Sequence, residues 1–277
     1  MRSQTACVAA KTYLIQIMGK RQEYNITYII RLIINERLRS IIFSSFLLPC
    51  VYLLSQASTL AAFQESFPIP LPTIFFHQLA WSDYYDKTAT ARDPHPTLQK
   101  ALFFLKNDNI ANGLAVDLGC GTGRDTLFLL ENGWNVFAID AEEQAIAILL
   151  NRINENQSAR LTVAVISFAD MLLPEGVSLI NASFSLPFCS PDHFQDCWQK
   201  IFENLVIGGM FCGHFFGDRD EWANKPFMTH HTYAQLMNLF SDRFEIKYFL
   251  QEEGALPTAV GVKNHWHIFH VVAKKVR

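Results

Sequence analysis

Hydrophobic and polar positions form repeating blocks along the second part of the chain, and the clearest block lies at residues 114–140. Apolar runs at 114–116 and 136–139 flank a stretch, 124–131, whose leucines form an apolar face. Short apolar runs beside turns are typical of buried parallel strands, and an apolar face is typical of a packed helix. Gly133 stands where a helix usually ends. The pattern therefore predicts a strand, a helix and a second strand.

The same criteria predict further helices and strands along this part of the chain. Helices are predicted at residues 97–106, 145–156, 193–205 and 232–239. Strands are predicted at 161–166, 177–184 and 210–216, then an antiparallel pair at 244–250 and 267–272, with 251–264 as a polar loop. Strands that alternate with helices indicate an α/β fold with a mostly parallel sheet.

Three glycines at alternate positions follow the first predicted strand, within residues 119–123. A dinucleotide fingerprint, G-x-G-x-x-G, needs a glycine where this chain has Arg124. Asp117, just before the loop, would repel a phosphate but suits a ligand with an ammonium group. Asp140 ends the second strand, where an acid can bind both hydroxyls of a ribose. The two carboxylates together indicate a nucleoside with an amino-acid tail, and S-adenosylmethionine is such a ligand.

The sequence D-L-G-C-G-T-G, residues 117–123, resembles motif I of class I S-adenosylmethionine-dependent methyltransferases. Asp140 resembles the acid that ends their second strand. The W-x-x-Y-Y segment from Trp81, followed by P-x-P-T-L, is similar to the start of small bacterial methyltransferases of the tellurite-resistance and thiopurine type. The resemblance covers about residues 80–277. It implies a Rossmann-like, seven-stranded, mostly parallel sheet with helices on both faces and one antiparallel strand near the edge.

The resemblance also implies methyl transfer from S-adenosyl-L-methionine to a small-molecule acceptor, with a thiol or a chalcogen oxyanion as candidates. It implies an aromatic cap over the cofactor, an adenine contact after the third strand and a contact with the methionine tail after the fourth. The expected cofactor-binding residues are Tyr85, Asp117, Gly119, Cys120, Gly121, Gly123, Arg124, Asp140, Ala141, Ala169, Asp170, Met171 and Ser185. In this interpretation Asp170 accepts from the adenine amine, and Met171 lies against the ring.

No residue stands out as a general base. His214 and His267 are candidates, although a hydrogen-bonded core histidine is the simpler interpretation of each. A soft nucleophile such as a thiolate needs no base, whereas an alcohol or an amine does. His265, His267 and His270 have no acid or cysteine at ligand spacing, so no metal site is predicted.

Charge and cysteine content narrow the choice of partners and compartment. Residues 81–277 hold 16 Lys/Arg and 23 Asp/Glu, a poor match to a nucleic-acid backbone. Nucleic-acid amino-methyltransferases carry N-P-P-[YF] or D-P-P-[YF] after the fourth strand, whereas residues 181–184 are N-A-S-F. The six cysteines include no C-x-x-C pair, which favours reduced thiols. We therefore expect a cytoplasmic enzyme that acts without nucleic acid.

Residues 1–75 form a separate, apolar and basic N-terminal extension in this interpretation, and residues 76–277 form the methyltransferase domain. Residues 41–63 carry no charge and are long enough to cross a bilayer. The preceding arginines would then send the domain out of the cytoplasm, away from the cofactor. Three explanations stay open: a peripheral or hairpin membrane anchor formed by residues 27–63, a helical extension packed on the domain, or a natural start near residue 75. The third is slightly favoured, because the proline-rich residues 67–73 form a natural boundary.

Two other classes of protein remain as alternatives. A nicotinamide-dependent oxidoreductase is opposed by Arg124, which replaces a required glycine. A non-catalytic cofactor-binding or membrane-associated protein would bind the cofactor without transferring its methyl group. The sequence does not indicate an oligomeric state.

Overall fold

The computed structural model of the protein describes residue 81 and residues 84–91, 93–258 and 261–277. The predictions for the N-terminal extension, including residues 27–63, lie outside these residues. Within the described part, no helix has the length and apolar character needed to span a bilayer.

One sheet runs through the described part of the chain. Its strands are β1 (Leu114–Leu118), β2 (Asn135–Asp140), β3 (Leu161–Val165), β4 (Val177–Ala182), β5 (Leu205–Gly217), β6 (His230–His231), β7 (Phe244–Pro257) and β8 (Lys263–Lys275). The order is β3-β2-β1-β4-β5-β8-β7, and the short β6 pairs with the end of β5. Strands β1 to β5 pair in parallel, whereas β8 is antiparallel to both of its neighbours. The predicted sheet, with one reversed strand near its edge, is confirmed.

Helices connect the strands of the described part. They are α1 (Pro96–Asn107), α2 (Arg124–Glu131), α3 (Glu143–Leu150), α4 (Glu155–Ser158), a 3₁₀ turn (Leu186–Phe188), α5 (Pro191–Asn204) and α6 (Tyr233–Phe240). Residues 84–88 are also helical. Helix α2 has the predicted bounds because the glycine loop and Gly133 limit it on both sides.

Two apolar cores cover the two faces of the sheet, as expected for parallel strands. On one face α5 and α6 pack Trp198, Ile201 and Phe240 against the strands. Trp198 lies 5.1 Å from the rings of both Phe211 and Phe240, measured between centroids. On the other face, helices α1 to α3 contribute Leu98 and other buried leucines. Helices on both faces follow from the amphipathic patterns in the sequence.

Two predicted elements differ from the structure. The predicted polar loop at residues 251–264 is wrong: β7 and β8 continue as a hairpin, paired as far as Pro257 and Lys263. Five of the seven β7 positions at 251–257 are exposed, so the polar composition of this extension reflects a solvated strand. The single helix predicted for residues 145–156 also breaks, because α3 ends at Leu150 and Asn154 caps a new short helix.

Candidate active site

A cavity of about 370 Å³ opens at the carboxyl ends of β1, β2 and β4. Its walls come from Trp81, residues 84–91, the glycine loop after β1, the end of β2, and the segments at 166–169 and 183–190. Ligands of open α/β sheets bind where such strand ends converge. The topology of the chain therefore places the glycine loop and Asp140 at one site.

Gly121 forms the part of the glycine loop that faces the cavity. Its φ is +53°, a conformation that side chains rarely adopt. A Cβ atom built on Gly121 would meet only the Tyr85 ring, 3.8 Å away, so it would stand in the cavity. By contrast, a Cβ atom on Gly123 would lie 2.3 Å from Leu149 of α3. Gly121 therefore leaves room for a ligand, and Gly123 leaves room for a helix.

Asp140 lies at the end of β2 and accepts hydrogen bonds from three groups. The amides of Gly121 and Glu142 donate to its carboxylate over 2.8 and 3.0 Å, and the Tyr85 hydroxyl donates over 3.1 Å. Burial raises the pKa of Asp140, and these hydrogen bonds oppose the shift. Burial and the neighbouring Asp140 also raise the pKa of Tyr85, which stays a hydrogen-bond donor. The carboxylate is thus fixed at the cavity wall.

A second carboxylate cluster joins β1, α2 and β4 beneath the loop. The Asn181 amide donates to Asp117 Oδ1 over 2.8 Å and to Asp125 Oδ2 over 2.9 Å. Thr126 Oγ1 donates to Asp117 Oδ2 over 2.5 Å. Burial and the charge of Asp125 raise the pKa of Asp117 to about 7, which the two hydrogen bonds oppose. Two buried acids therefore share one amide donor.

His95 contacts Asp125 from the loop before α1. Its Nδ1 lies 2.9 Å from Asp125 Oδ2, and its backbone amide donates to Asp125 Oδ1 over 2.9 Å. Burial raises the pKa of Asp125, but the hydrogen bonds and charge of His95 outweigh burial and lower it to about 2. Arg124 Nη1 lies 3.2 Å from His95 Nε2, and the arginine also donates to the carbonyl oxygen of Asp93. His95, Arg124 and Asp125 all line the cavity.

We expect Asn181→Leu to lower the free energy of unfolding by about 3 kcal/mol, because two buried carboxylates each lose a donor. Urea unfolding monitored by fluorescence would measure the change. The pH dependence of this change in the free energy of unfolding is the internal control. Asp117 is protonated at pH 5, so repulsion between the Asp117 and Asp125 carboxyl groups contributes less to the loss of stability at pH 5 than at pH 8. A loss below 1 kcal/mol at pH 8 would contradict the role of Asn181.

Comparison with known proteins shows what the central part of the chain is similar to. Residues 115–209 match the family model described as "Methyltransferase domain". Residues 115–209 are therefore similar to a methyltransferase domain. The carboxy-S-adenosyl-L-methionine synthase of Shewanella halifaxensis is 31% identical over 103 residues, which are 34% of this chain and 40% of the relative. The probable S-adenosyl-L-methionine-dependent methyltransferase TehB of Haemophilus influenzae is 27% identical over 94 residues, 34% of this chain and 32% of the relative.

A solved structure of a relative shows the same fold. The crystal structure of TehB from Haemophilus influenzae matches with a TM-score of 0.56 and 19% identity, covering 70% of this chain and 67% of TehB. The sequence match, by contrast, covers only 32–40% of these two relatives' length. The predicted resemblance to S-adenosylmethionine-dependent methyltransferases and the predicted Rossmann-like fold are confirmed.

The fold brings most of the predicted cofactor-binding residues together. Those that line the cavity are Tyr85, Asp117, Gly119, Cys120, Gly121, Arg124, Asp140, Ala141, Ala169 and Ser185. Ser185 Oγ is buried and has no hydrogen-bond partner among the described residues. The assignment of these residues to the cofactor stays a prediction.

Gly123, Asp170 and Met171, which were also predicted to bind the cofactor, do not line the cavity. Gly123 accommodates α3, as described above. Asp170 is exposed and accepts from Ser167 Oγ over 2.9 Å, while Met171 is fully buried in one core. The segment after β3 turns so that Phe168 lines the cavity. Phe168 thus lines the cavity, whereas Met171, the residue that the sequence analysis assigned to the adenine ring, does not.

The two histidines considered as candidate bases, His214 and His267, lie elsewhere in the fold. His214 is buried behind Phe184, whose amide donates to His214 Nδ1 over 3.2 Å and whose ring stacks on it at 3.9 Å. His267 is buried near the hairpin, where the Arg219 amide donates to its Nδ1 over 3.2 Å. Burial lowers the pKa of each imidazole. Neither side chain lines the cavity.

Sequence reasoning missed His95 and Asp125. They are separated by 30 residues, and the sequence contains no motif that links them. One signal was present: Asp125 lies in the first turn of α2, directly after the glycine loop, where an acid can face a ligand. Its partner could be found only once α1 was packed against the sheet.

Proposed function

We propose that this protein is a methyltransferase that uses S-adenosyl-L-methionine to methylate a small molecule. The main support for this proposal is that Gly121 and Asp140 lie together at one wall of the cavity. There the Gly121 amide donates to the Asp140 carboxylate, and the Gly121 Cα faces open space. We assign the ribose hydroxyls to Asp140, the adenine ring to Phe168, and the methionine ammonium to Asp117.

The charge of the cavity suits this cofactor. S-adenosyl-L-methionine carries a sulfonium and an ammonium cation, besides one carboxylate. Four carboxylate side chains line the cavity, those of Asp117, Asp125, Asp140 and Glu142, and Arg124 is the single Lys or Arg among the described lining residues. Such a lining attracts a cationic ligand and repels a pyrophosphate. This supports a methyltransferase over a nicotinamide-dependent oxidoreductase.

When bound, the cofactor supplies an activated methyl group on its sulfonium sulfur. The protein then needs to orient the acceptor and exclude water. Trp81, Tyr84 and Phe188 give the cavity aromatic walls, and the Trp81 and Phe188 rings meet edge to face at 4.8 Å. Apolar walls of this kind exclude water from the acceptor.

The size and charge of the cavity also restrict the acceptor. At about 370 Å³ the cavity lies near the lower end of the range typical of small-molecule sites. A chalcogen oxyanion would meet several carboxylates with only Arg124 to neutralise it. A neutral thiol meets no such repulsion. Of the two acceptor classes suggested by the family resemblance, we therefore propose the thiol.

Isothermal titration of the full chain with S-adenosylhomocysteine, the product form of the cofactor, tests the proposal. We expect micromolar binding and no heat with NADH under the same conditions. Transfer of a labelled methyl group from S-adenosyl-L-methionine to thiols, selenite and tellurite would then identify the acceptor class. Binding of NADH alone would favour an oxidoreductase. Tight cofactor binding without transfer to any acceptor would favour a non-catalytic protein.

We expect S-adenosylhomocysteine to bind about tenfold more tightly at pH 8 than at pH 6, because its ammonium needs the ionised form of Asp117. Burial raises the pKa of Asp117 to about 7 in the free protein, so the carboxyl is mostly neutral at pH 6. Binding must then release a proton, which calorimetry detects in buffers of different ionisation enthalpy. Asp117→Asn should remove both effects. An affinity that stays constant or falls with rising pH would contradict this assignment.

A further inference from the structure

We propose that His95 is the general base of the methyl-transfer reaction, that Asp125 positions it, and that the acceptor therefore carries a proton on sulfur, oxygen or nitrogen. The inference rests on the proposed function and deepens it, since it names the chemical class of the acceptor. The geometry that carries it is the chain of contacts from Asp125 through the imidazole to Arg124 at the cavity wall.

The hydrogen bonds define the tautomer of His95. Asp125 is an acceptor for the His95 backbone amide and for the Asn181 amide, and its Oδ2 lies 2.9 Å from His95 Nδ1. An ionised carboxylate can only accept, so Nδ1 carries the proton. Arg124 can only donate, and its Nη1 lies 3.2 Å from Nε2. Because Asp125 accepts at Nδ1 and Arg124 donates at Nε2, the lone pair of the neutral imidazole lies on Nε2.

The side chain that carries this lone pair lines the cavity. The side chain of His95 is 18% exposed and Asp125 is 4% exposed, so the base reaches solvent while its partner does not. The His95 ring lies 5.3 Å from the ring of Phe184, which follows β4. Phe184 lines the cavity and has a φ of +52°, a strained conformation typical of functional sites. A proton donor that enters here can replace the Arg124 N–H at Nε2.

The charged and titratable groups around His95 come from four strands and helices. Helix α2 supplies Asp125 and Arg124, and β1 supplies Asp117 behind them. Strand β5 supplies His214, 5.7 Å from His95 between ring centroids, and β8 supplies His270, which faces His214 at 4.9 Å. Burial lowers the pKa of both of these histidines, so they are neutral near pH 7. Asp125 is thus the direct charged partner that stabilises an imidazolium at His95.

The proton and electron changes balance in one step. The acceptor X–H gives its proton to His95 Nε2, and X forms a bond to the methyl carbon. The bond between that carbon and the sulfonium sulfur breaks, and its electron pair stays on sulfur. The products are methylated X, neutral S-adenosylhomocysteine and a protonated His95 paired with Asp125. Solvent water later accepts the proton.

His95→Asn is the decisive variant because asparagine keeps an N–H near the position of Nδ1 and has no counterpart of Nε2. The variant therefore keeps a hydrogen bond to Asp125 and loses the basic nitrogen. The comparison variant is His95→Gln, whose terminal amide reaches toward the Nε2 position. We would measure thermal unfolding, S-adenosylhomocysteine binding and the pH dependence of methyl transfer to a thiol. Separately, ¹⁵N NMR of the histidine rings in the ligand-free protein would report the tautomer.

We expect His95→Asn to unfold like the parent, to bind S-adenosylhomocysteine within threefold, and to lose turnover about 10²- to 10⁴-fold. The remaining rate should lack the acid limb of the parent's pH profile, and His95→Gln should not restore it. In the parent, NMR should show the proton on Nδ1, and Asp125→Asn should shift it toward Nε2.

Three results would overturn the proposal. Turnover of His95→Asn within threefold of the parent would show that no base is needed. Loss of S-adenosylhomocysteine binding in this variant alone would make His95 a cofactor-binding residue. A proton on Nε2 in the parent would exclude it as the base. If the parent itself neither binds the cofactor nor transfers methyl groups, the proposed function fails first, and the base fails with it.

Discussion

Replacing Gly121 with valine is expected to abolish binding of S-adenosylhomocysteine, a loss of at least about 100-fold, or about 2.7 kcal/mol. The valine side chain would occupy the space between the loop and Tyr85, where the nearest atom is now 3.8 Å from the Cβ position. This space is where we place the cofactor. Titration calorimetry of the full-length variant would measure the loss.

A matched variant separates the blocked cavity from the strained backbone. Gly176 has a φ of +76°, and a Cβ atom there would meet nothing within 4 Å. Gly176→Val therefore carries a similar conformational penalty, about 1–2 kcal/mol, outside the cavity lining. We expect it to reduce stability and leave binding unchanged. If Gly121→Val binds as tightly as Gly176→Val, the cofactor does not pass over Gly121.

The parts of this protein that the sequence predicts well are those that local chemistry determines. Helix α2 begins where the glycine loop ends and stops at Gly133, so its bounds can be read from neighbouring residues. Asp117 and Asp140 reach the cavity because each follows a buried apolar run, and parallel strand ends share an edge of the sheet. Local patterns alone thus bring the glycine loop and both acids to the site.

The parts that the sequence predicts poorly depend on contacts between distant segments. The path of the chain after β3, which directs Phe168 to the cavity and Met171 to the core, follows from packing against the sheet. His214 could be recognised as a histidine on a strand, but its position behind Phe184 depends on the strained turn after β4. The polar hairpin of β7 and β8 makes an apolar contact through Trp266, which packs on Phe216. Positions of this kind can be predicted only when the complete fold is known.

Asp140→Ala is expected to weaken S-adenosylhomocysteine binding by about 3–6 kcal/mol, or roughly 10²- to 10⁴-fold. Each of the two ribose hydroxyls would lose a hydrogen bond to a charged acceptor, about 1.5–3 kcal/mol apiece. In the parent, the Gly121 amide donates to the Asp140 carboxylate over 2.8 Å. The variant removes this hydrogen bond, so the loop loses a contact that shapes it. Asp140→Asn keeps one acceptor oxygen and should show a smaller loss.

Glu143→Ala is the charge control for Asp140→Ala. Glu143 is an exposed acid in the first turn of α3, three residues beyond Asp140, and it does not line the cavity. Its removal changes the net charge near the site by the same amount without touching the ligand. We expect its affinity to stay within twofold of the parent, and thermal unfolding should show that both variants are folded. Equal affinities for Asp140→Ala and Glu143→Ala would mean that Asp140 organises the loop without binding the ribose. The cofactor assignment would then depend on Gly121 and Asp117.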